Sequence, residues 1–194
     1  MKPIYIAYYT KNTGYAVEVK NLEASLIKFE LDYEIQGITN LGSWNKNTHY
    51  KPTFIKEMLV KHERPVVYLD ADAVVCNYPT LLDTADFDIG VPVLDWSKYR
   101  SRKQITETMS GTLYFKPTPR VSALIDAWIH VCEVDGKTWD QRLLAKLLPE
   151  FTILPDEYCV IFDFMRVVQN PIIKHMQASR RLRNVINKGG APKC

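Results

Sequence analysis

Val66-Val67-Tyr68-Leu69-Asp70-Ala71-Asp72 joins a short apolar run to two carboxylates, and this stretch decides the expected fold. The apolar run predicts a strand buried on both faces, as at the centre of a parallel sheet. Because residues i and i+2 of an extended chain point to the same side, Asp70 and Asp72 would present their carboxylates together. Ligands of open α/β sheets bind at the carboxyl ends of the strands. The stretch therefore predicts a functional site directly after a central strand.

Strand and helix patterns alternate along the rest of the chain. Apolar, β-rich runs predict strands over Ile4–Tyr9, Tyr33–Ile38, Ile89–Leu94, Thr112–Phe115, Phe151–Leu154 and Ile172–Ile173. Apolar residues at helical spacing predict helices over Tyr15–Glu30 and from Pro52, Pro119 and Thr138 onward. This alternation predicts an α/β fold with a mostly parallel central sheet flanked by helices. We expect one domain over residues 1–185 and a flexible basic tail over residues 186–194.

The composition excludes several classes of protein. Of the 194 residues, 46% are hydrophobic and 24% are charged, which is typical of one globular domain and not of a disordered chain. No apolar run approaches the roughly 18 residues of a membrane helix, and the first residues lack the pattern of a secretory signal. The four cysteines have no zinc-like spacing. We therefore expect reduced thiols in a cytoplasmic protein with no membrane partner.

Positive charge is concentrated in two segments. Residues 174–194 contain six Lys or Arg and no Asp or Glu, whereas the net charge of the whole chain is only +3. A second basic group interrupts the middle of the sequence. The candidate residues for binding a polyanion are Lys98, Arg100, Arg102, Lys103, Arg180 and Arg183. Such clusters suit a phosphate-rich partner, and they are equally typical of a solvated surface.

Asp70 and Asp72 are candidate metal ligands. Two adjacent carboxylates repel each other, and a hard divalent cation such as Mg²⁺ or Mn²⁺ removes the repulsion and commonly bridges to phosphates. The alternative is a polar strand end with helix-capping Asp residues. Residues 70–74 also resemble the nucleophile motif of the HAD-type phosphatases. In that family, however, the motif follows the first strand and is joined by a late acidic pair, which this sequence lacks.

Several segments resemble the GT-A glycosyltransferases, in particular the family 8-type nucleotide-sugar transferases. Besides the two aspartates they are residues 7–10, residues 51–55, the stretch Ser110-Gly111-Thr112-Leu113-Tyr114-Phe115 and the Asp140-Gln141 pair, so the resemblance covers most of the chain. It implies the Rossmann-like GT-A fold. It also implies a donor site formed by Tyr8, Tyr9, Thr10, Lys51, Asp70, Ser110, Gly111 and Arg181.

A histidine near the end of the chain extends the resemblance. The family pattern has a metal-binding His, a Gly three residues later and a Lys six residues later. Here His175 is followed by Ala178 and Arg181 at those positions. Arg keeps the positive charge of Lys but has a different geometry. The resemblance implies that His175 completes the metal site with Asp70 and Asp72.

The activity implied by the resemblance is metal-dependent sugar transfer from a nucleoside diphosphate sugar, with a UDP-sugar such as UDP-glucose as donor. Asp140 and Gln141 would act on the sugar, and Arg181 would neutralise the diphosphate. Thr138-Trp139-Asp140-Gln141 also fits a capping box, which would explain Gln141 without a substrate. The Asp-Gln pair implies retention of anomeric configuration, whereas Asp140 acting as a general base would give inversion, so both outcomes stay open.

The sequence leaves the acceptor and the oligomeric state open. The basic residues favour a nucleic acid acceptor, such as a hydroxymethylated DNA base of the kind that phage glycosyltransferases modify, and glycan and protein hydroxyls are alternatives. A nucleic-acid-binding protein on an inactive transferase scaffold would carry the same charges. A nucleotidyltransferase is a further alternative, although Thr10-Lys11-Asn12-Thr13-Gly14 matches the Gly-rich loop of that class poorly.

Overall fold

The computed structural model describes residues 1–99 and 105–187. Its strands are β1 (Ile4–Thr10), β2 (Tyr33–Ile38), β3 (Val66–Leu69), β4 (Ala73–Val75), β5 (Ile89–Asp95), β6 (Thr106–Thr108), β7 (Thr112–Phe115), β8 (Thr152–Leu154), β9 (Val160–Ile161) and β10 (Ile173–His175). Its helices are α1 (Tyr15–Lys28), α2 (Trp44–His49), α3 (Lys51–His62), α4 (Thr80–Asp83), α5 (Pro119–Val134), α6 (Asp140–Leu147) and α7 (Ser179–Asn187). The strands and helices expected from the sequence are present, with bounds that differ by a few residues.

The main sheet confirms the α/β architecture. Its strand order is β2-β1-β3-β7-β5-β6, and β8 pairs with β5. β1 is parallel to both β2 and β3, and β8 is parallel to β5. β7 runs antiparallel to its neighbours β3 and β5, and β6 runs antiparallel to β5. Strands β1, β2, β3, β5 and β8 therefore point one way and β6 and β7 the other, so the sheet is mixed where a mostly parallel one was expected.

A second, small sheet joins distant parts of the chain. Its order is β4-β10-β9, with β10 antiparallel to β4 and parallel to β9. In this register His175 is paired with Ala73, the residue directly after Asp72. The backbone N–H of Met176 also donates to the carbonyl of Asp72 at 3.1 Å. This pairing brings the end of β10 to the pair of aspartates.

Helices cover both faces of the main sheet, and the central strand β3 is buried on each side. Val66 and Tyr68 pack into the cluster formed with α3, α5 and α6. Val67 and Leu69 pack into the opposite cluster, formed with α1, β4 and β10. The prediction of a fully buried strand before the two aspartates is confirmed. Its burial anchors the site that follows it.

The end of the described chain is folded against the body of the protein. α7 continues to Asn187, and Ile186 is buried together with Ala178 and Leu182 in a small cluster that packs on α1 and α2. Helix α7 thus includes residues 186 and 187, which the sequence analysis assigned to the tail. Residues 188–194 of the expected tail lie outside the described residues.

Among the described residues, none of the helices is both long enough and apolar enough to cross a membrane.

Candidate active site

A cleft of about 770 Å³ opens at the edge of the main sheet where β1 and β3 end. Because β7 is antiparallel to β3, the residues that precede β7 reach the same edge. The expected site residues that line this cleft are Tyr8, Tyr9, Thr10, Lys51, Asp70, Asp72, Ser110, Gly111, Asp140, Gln141, His175, Arg180 and Arg183. Tertiary structure thus gathers in one cavity residues that lie up to 175 positions apart in sequence.

Three side chains that could ligate a metal ion meet in the cleft. One ligand atom from each of Asp70, Asp72 and His175 lies within 4.8 Å of the others. Asp72 is buried, and its Oδ2 accepts from the backbone N–H of Ala178 at 2.7 Å. Burial alone would raise the pKa of Asp72, but His175 and the Ala178 N–H hold that pKa below its usual value. The Asp72 carboxylate is therefore anionic and held in place.

The orientation of His175 leaves one nitrogen facing the carboxylates. Its Nε2 lies 2.9 Å from Oγ1 of Thr112, and its Nδ1 lies 3.9 Å from Oδ1 of Asp72. Burial would lower the pKa of His175, but Cys159 and Asp72 raise it to about 10. A cation that binds to Nδ1 requires the neutral imidazole, so its binding would compete with protonation of His175. The hydrogen bond at Nε2 fixes the ring for that role.

A glycine keeps the space between these ligands open. A Cβ added at Gly111 would lie 2.8 Å from Cε1 of His175 and 3.1 Å from Oδ2 of Asp70. A methyl group there would fill the room that a cation needs. Carboxylates suit Mg²⁺ and Mn²⁺, and the imidazole adds a preference for a transition metal. The residues present therefore fit the divalent cation that the resemblance implies.

Lys51, the first residue of α3, is a buried cation at the centre of the site. Its side chain is 3% exposed, and its Nζ lies 3.1 Å from Oδ1 of Asp70 and 3.0 Å from Oδ2 of Asp140. It also donates to the carbonyl and the hydroxyl of Ser110 at 3.1 and 3.0 Å. Burial would lower the pKa of Lys51, but the two carboxylates raise it above its usual value. Lys51 thus links the group of Asp70, Asp72 and His175 to the Asp140-Gln141 pair.

The side chain of Gln141 is held between two segments. Its Oε1 accepts from the backbone N–H of Ser110 at 3.2 Å, and its Nε2 donates to Oε1 of Glu107 at 2.9 Å. Oε2 of Glu107 accepts from Nε1 of Trp96 at 2.7 Å. The hydroxyl of Ser110 donates to Oδ2 of Asp140 at 3.1 Å. Hydrogen bonds and ion pairs therefore run without a break from Trp96 through Gln141, Ser110 and Lys51 to Asp70.

The capping-box interpretation of residues 138–141 is wrong. α6 begins at Asp140, and its N-cap residue Trp139 makes no side-chain capping bond. The backbone N–H of Thr138 instead donates to Oδ1 of Asp135 at 2.9 Å. The side chain of Gln141 is bonded to Ser110 and Glu107 in the cleft and does not cap the helix.

Arg181 does not line the cleft where the diphosphate-binding role would place it. Its Nη2 lies 2.6 Å from Oε1 of Glu18 on α1. Positions 180 and 183 share one face of α7, whereas position 181 is turned about 100° from residue 180. Arg180 and Arg183 accordingly line the cleft, and Arg181 does not. This corrects the expectation for Arg181.

The two arginines of the cleft already have protein partners. Arg180 forms an ion pair with Asp163, and its guanidinium lies 4.5 Å from the ring centre of Phe164. Arg183 lies between two indole rings, 4.8 Å from the centre of Trp44 and 5.0 Å from that of Trp139. These contacts attach α7 to the rim of the cleft.

Only part of the middle basic segment lies within the described residues. Lys98 does not line the cleft, and its Nζ lies 3.5 Å from Oδ2 of Asp156. Arg100, Arg102 and Lys103 lie outside the described residues.

The sequence analysis gave no role of their own to Thr112 and Glu107, each of which contacts an expected site residue. Thr112 contacts His175 and lies inside the Ser110–Phe115 segment, so the motif in that segment could have identified it as a site residue. No sequence signal could have identified Glu107, because its partner Gln141 is 34 residues away and no local pattern marks the pair.

Comparisons with known proteins agree with this geometry. A family model described as nucleotide-diphospho-sugar transferase matches residues 38–178. The fold is similar to that of a glycosyltransferase involved in the glycosylation of the major capsid of PBCV-1, with a TM-score of 0.67, 8% identity and coverage of 96% of this chain and 98% of that one. It is also similar to apo GlyE, a glycosyltransferase of Streptococcus pneumoniae TIGR4, with a TM-score of 0.60, 16% identity and coverage of 90% of this chain and 54% of GlyE. At these identities the likeness concerns the fold. Among curated protein sequences, none matches.

Proposed function

The chain belongs to the nucleotide-diphospho-sugar transferase family, and from this premise we propose that it moves a sugar from a nucleoside diphosphate sugar to an acceptor hydroxyl in a reaction that requires Mn²⁺ or Mg²⁺. We propose a UDP-sugar as donor. The observation that carries the proposal is the convergence of Asp70, Asp72 and His175 around the space beside Gly111. Buried Lys51 joins this group to Asp140 within the same cleft.

The proposed chemistry is electrostatic. The bond from the anomeric carbon to the diphosphate breaks, and negative charge develops on the leaving oxygen, while the acceptor oxygen bonds to that carbon and releases its proton. Asp70, Asp72 and His175 would hold the divalent cation, which supplies positive charge to the phosphate oxygens. Lys51 keeps its own positive charge in the buried site and fixes both neighbouring carboxylates.

Asp140 and Gln141 form the sugar-facing part of the proposed site. The carboxylate of Asp140 is fixed by Lys51 and by the Ser110 hydroxyl, which supports a role in orienting the sugar. The amide of Gln141 is held on both of its polar atoms by the chain. We propose retention of anomeric configuration, which NMR of the anomeric product would test.

A panel of nucleotide sugars tests the proposed activity. Incubation with Mn²⁺ should hydrolyse a UDP-sugar slowly in the absence of acceptor, and EDTA should abolish the reaction. Hydrolysis that continues undiminished in EDTA would contradict the proposed metal dependence. If no donor in the panel is bound or hydrolysed with Mn²⁺ or Mg²⁺, transfer itself is contradicted, and a binding protein on an inactive scaffold becomes the better account.

Gly111→Ala should weaken Mn²⁺ binding in the presence of UDP at least tenfold, because the added methyl group would lie about 3 Å from both His175 and Asp70. Titration calorimetry measures this affinity. The melting temperature should also fall, because the buried ring of His175 must shift to admit the methyl group. Gly136→Ala is the matched control, since no atom lies within 4 Å of an added Cβ at that position. Unchanged Mn²⁺ affinity in Gly111→Ala would place the cation elsewhere.

For the acceptor we propose a hydroxyl on a nucleic acid, such as a hydroxymethylated base. The support for this acceptor is the positive charge of Arg180 and Arg183, which line the cleft, and of the basic segment around residue 100. The name of the PBCV-1 enzyme instead concerns glycosylation of a capsid, and this supports a protein acceptor as the alternative.

Salt dependence distinguishes these acceptors. Binding of duplex DNA should weaken steeply between about 50 and 200 mM salt, because each neutralised phosphate adds roughly 0.9 to the logarithmic slope. The combined variant Arg100→Gln, Arg102→Gln and Lys103→Gln should flatten the slope by up to about 3 and leave UDP-sugar hydrolysis unchanged. Absence of DNA binding at the lowest salt would redirect the search to glycan and protein hydroxyls.

A further inference from the structure

The side-chain amide of Gln141 has two alternative orientations, which exchange its oxygen and its nitrogen, and its neighbours decide between them. The backbone N–H of Ser110 can only donate, and it lies 3.2 Å from Oε1. An ionised carboxylate can only accept, and Oε1 of Glu107 lies 2.9 Å from Nε2. A flipped amide would set N–H against N–H and oxygen against carboxylate. The pair of neighbours therefore selects one orientation.

Glu107 is itself fixed by a second donor. It lies on β6, paired in register with Leu94 of β5. Its Oε2 accepts from Nε1 of Trp96 at 2.7 Å, and the Trp96 side chain is buried. Each oxygen of Glu107 thus receives an N–H from a different segment. A carboxylate that is held at both oxygens can hold Gln141 in turn.

We infer that Glu107 is a positioning residue, which acts on the reaction by orienting the amide of Gln141 toward the donor sugar. One N–H of Nε2 is taken by Glu107, and because both residues line the cleft we infer that the other N–H faces it. A misplacement of about 1 Å at a reacting group lowers rates by as much as ~100-fold. The kinetic part of this inference rests on the proposed function, and the structural part does not.

A swap of the two side chains tests the geometry. In Glu107→Gln the new side chain has a single oxygen, so it cannot accept from both Trp96 and Gln141. In Gln141→Glu two carboxylates face each other. In the double variant the amide at position 107 accepts from Trp96 and donates to the carboxylate at position 141, which still accepts from Ser110. Each single variant should lower the urea midpoint of unfolding, and the double variant should regain most of the loss.

The kinetic test uses Glu107→Gln alone. Its kcat for UDP-sugar hydrolysis should fall at least tenfold while its KM for the donor changes less than threefold, because the metal site is untouched. The matched control is Glu150→Gln, where the replaced side chain is 93% exposed. Wild-type kcat in Glu107→Gln, or additive losses of stability in the double variant, would overturn the inference.

A third readout does not depend on activity. The side-chain amide signal of Gln141 in a ¹⁵N–¹H spectrum is assigned by its absence in Gln141→Glu. In the wild type one of its protons should exchange slowly with solvent because it is bound to Glu107, and in Glu107→Gln it should exchange fast. If the wild type hydrolyses no nucleotide sugar, the proposed function fails, whereas the exchange and the stability cycle still decide the role of Glu107. Fast exchange of this Gln141 amide proton in the wild type would overturn the positioning role of Glu107.

Discussion

Asp72→Asn should lower sugar transfer at least a thousandfold, about 4 kcal/mol of transition-state stabilisation. The neutral amide is a poor ligand for a divalent cation, so one of the three proposed ligands is lost. The fold should persist, because the amide oxygen can still accept from Ala178, as Oδ2 of Asp72 does at 2.7 Å. Transfer assays with Mn²⁺ and calorimetry of Mn²⁺ with UDP measure the two effects.

The matched control for this substitution is Asp32→Asn. Asp32 forms an exposed ion pair with Arg64, remote from the cleft residues, so its loss should change neither transfer nor Mn²⁺ affinity. Wild-type transfer by Asp72→Asn would contradict the metal assignment. A collapse of the circular dichroism spectrum would instead make Asp72 a structural residue.

Lys51→Met should destabilise the protein by about 3–5 kcal/mol, because removal of one partner leaves a buried charge without compensation. Asp140 carries most of this penalty, since its side chain is 5% exposed, whereas that of Asp70 is 40% exposed and can be rehydrated. Met preserves the apolar stem of Lys51, so the loss reports the charge and not a cavity. Urea denaturation measures the free energy of unfolding.

Lys56→Met on the same helix is the control for this prediction. Lys56 pairs with Asp126 on the surface, and exposed pairs contribute about 0–1 kcal/mol. A double-mutant cycle adds a second criterion: Asp140→Asn should cost much less in the Lys51→Met background than in the wild type, because the two residues act as one unit. Independent, additive losses would show that Lys51 does not compensate Asp140.

Local sequence was sufficient for most of the secondary structure. The run at residues 66–69 predicted a buried strand because four apolar residues in an extended chain must pack on both faces. Helical spacing likewise predicted α1, and Pro119 after Thr118 predicted the start of α5, where the Thr118 hydroxyl accepts from Val121. These signals lie within a few residues of one another, so no tertiary contact is needed to detect them.

Local patterns failed where a tertiary partner competed with them. Residues 138–141 match a capping box, yet Gln141 bonds to Ser110 and Glu107. Arg181 matched a motif position by count alone, and the turn of α7 directs it to Glu18. Each failure has the same cause, because a sequence pattern specifies spacing along the chain and not which neighbour lies opposite.

The sequence by itself determined that two carboxylates end a central strand, since alternation along an extended backbone places Asp70 and Asp72 on one side. Only the tertiary structure decided what surrounds them. The antiparallel pairing of β10 with β4 brings His175 to the aspartates, and burial of the first turn of α3 puts Lys51 between Asp70 and Asp140. Glu107 reaches the same cleft because β6 pairs with the carboxyl-terminal end of β5. Strand periodicity is a property of consecutive residues, whereas strand pairing and burial are properties of the whole chain.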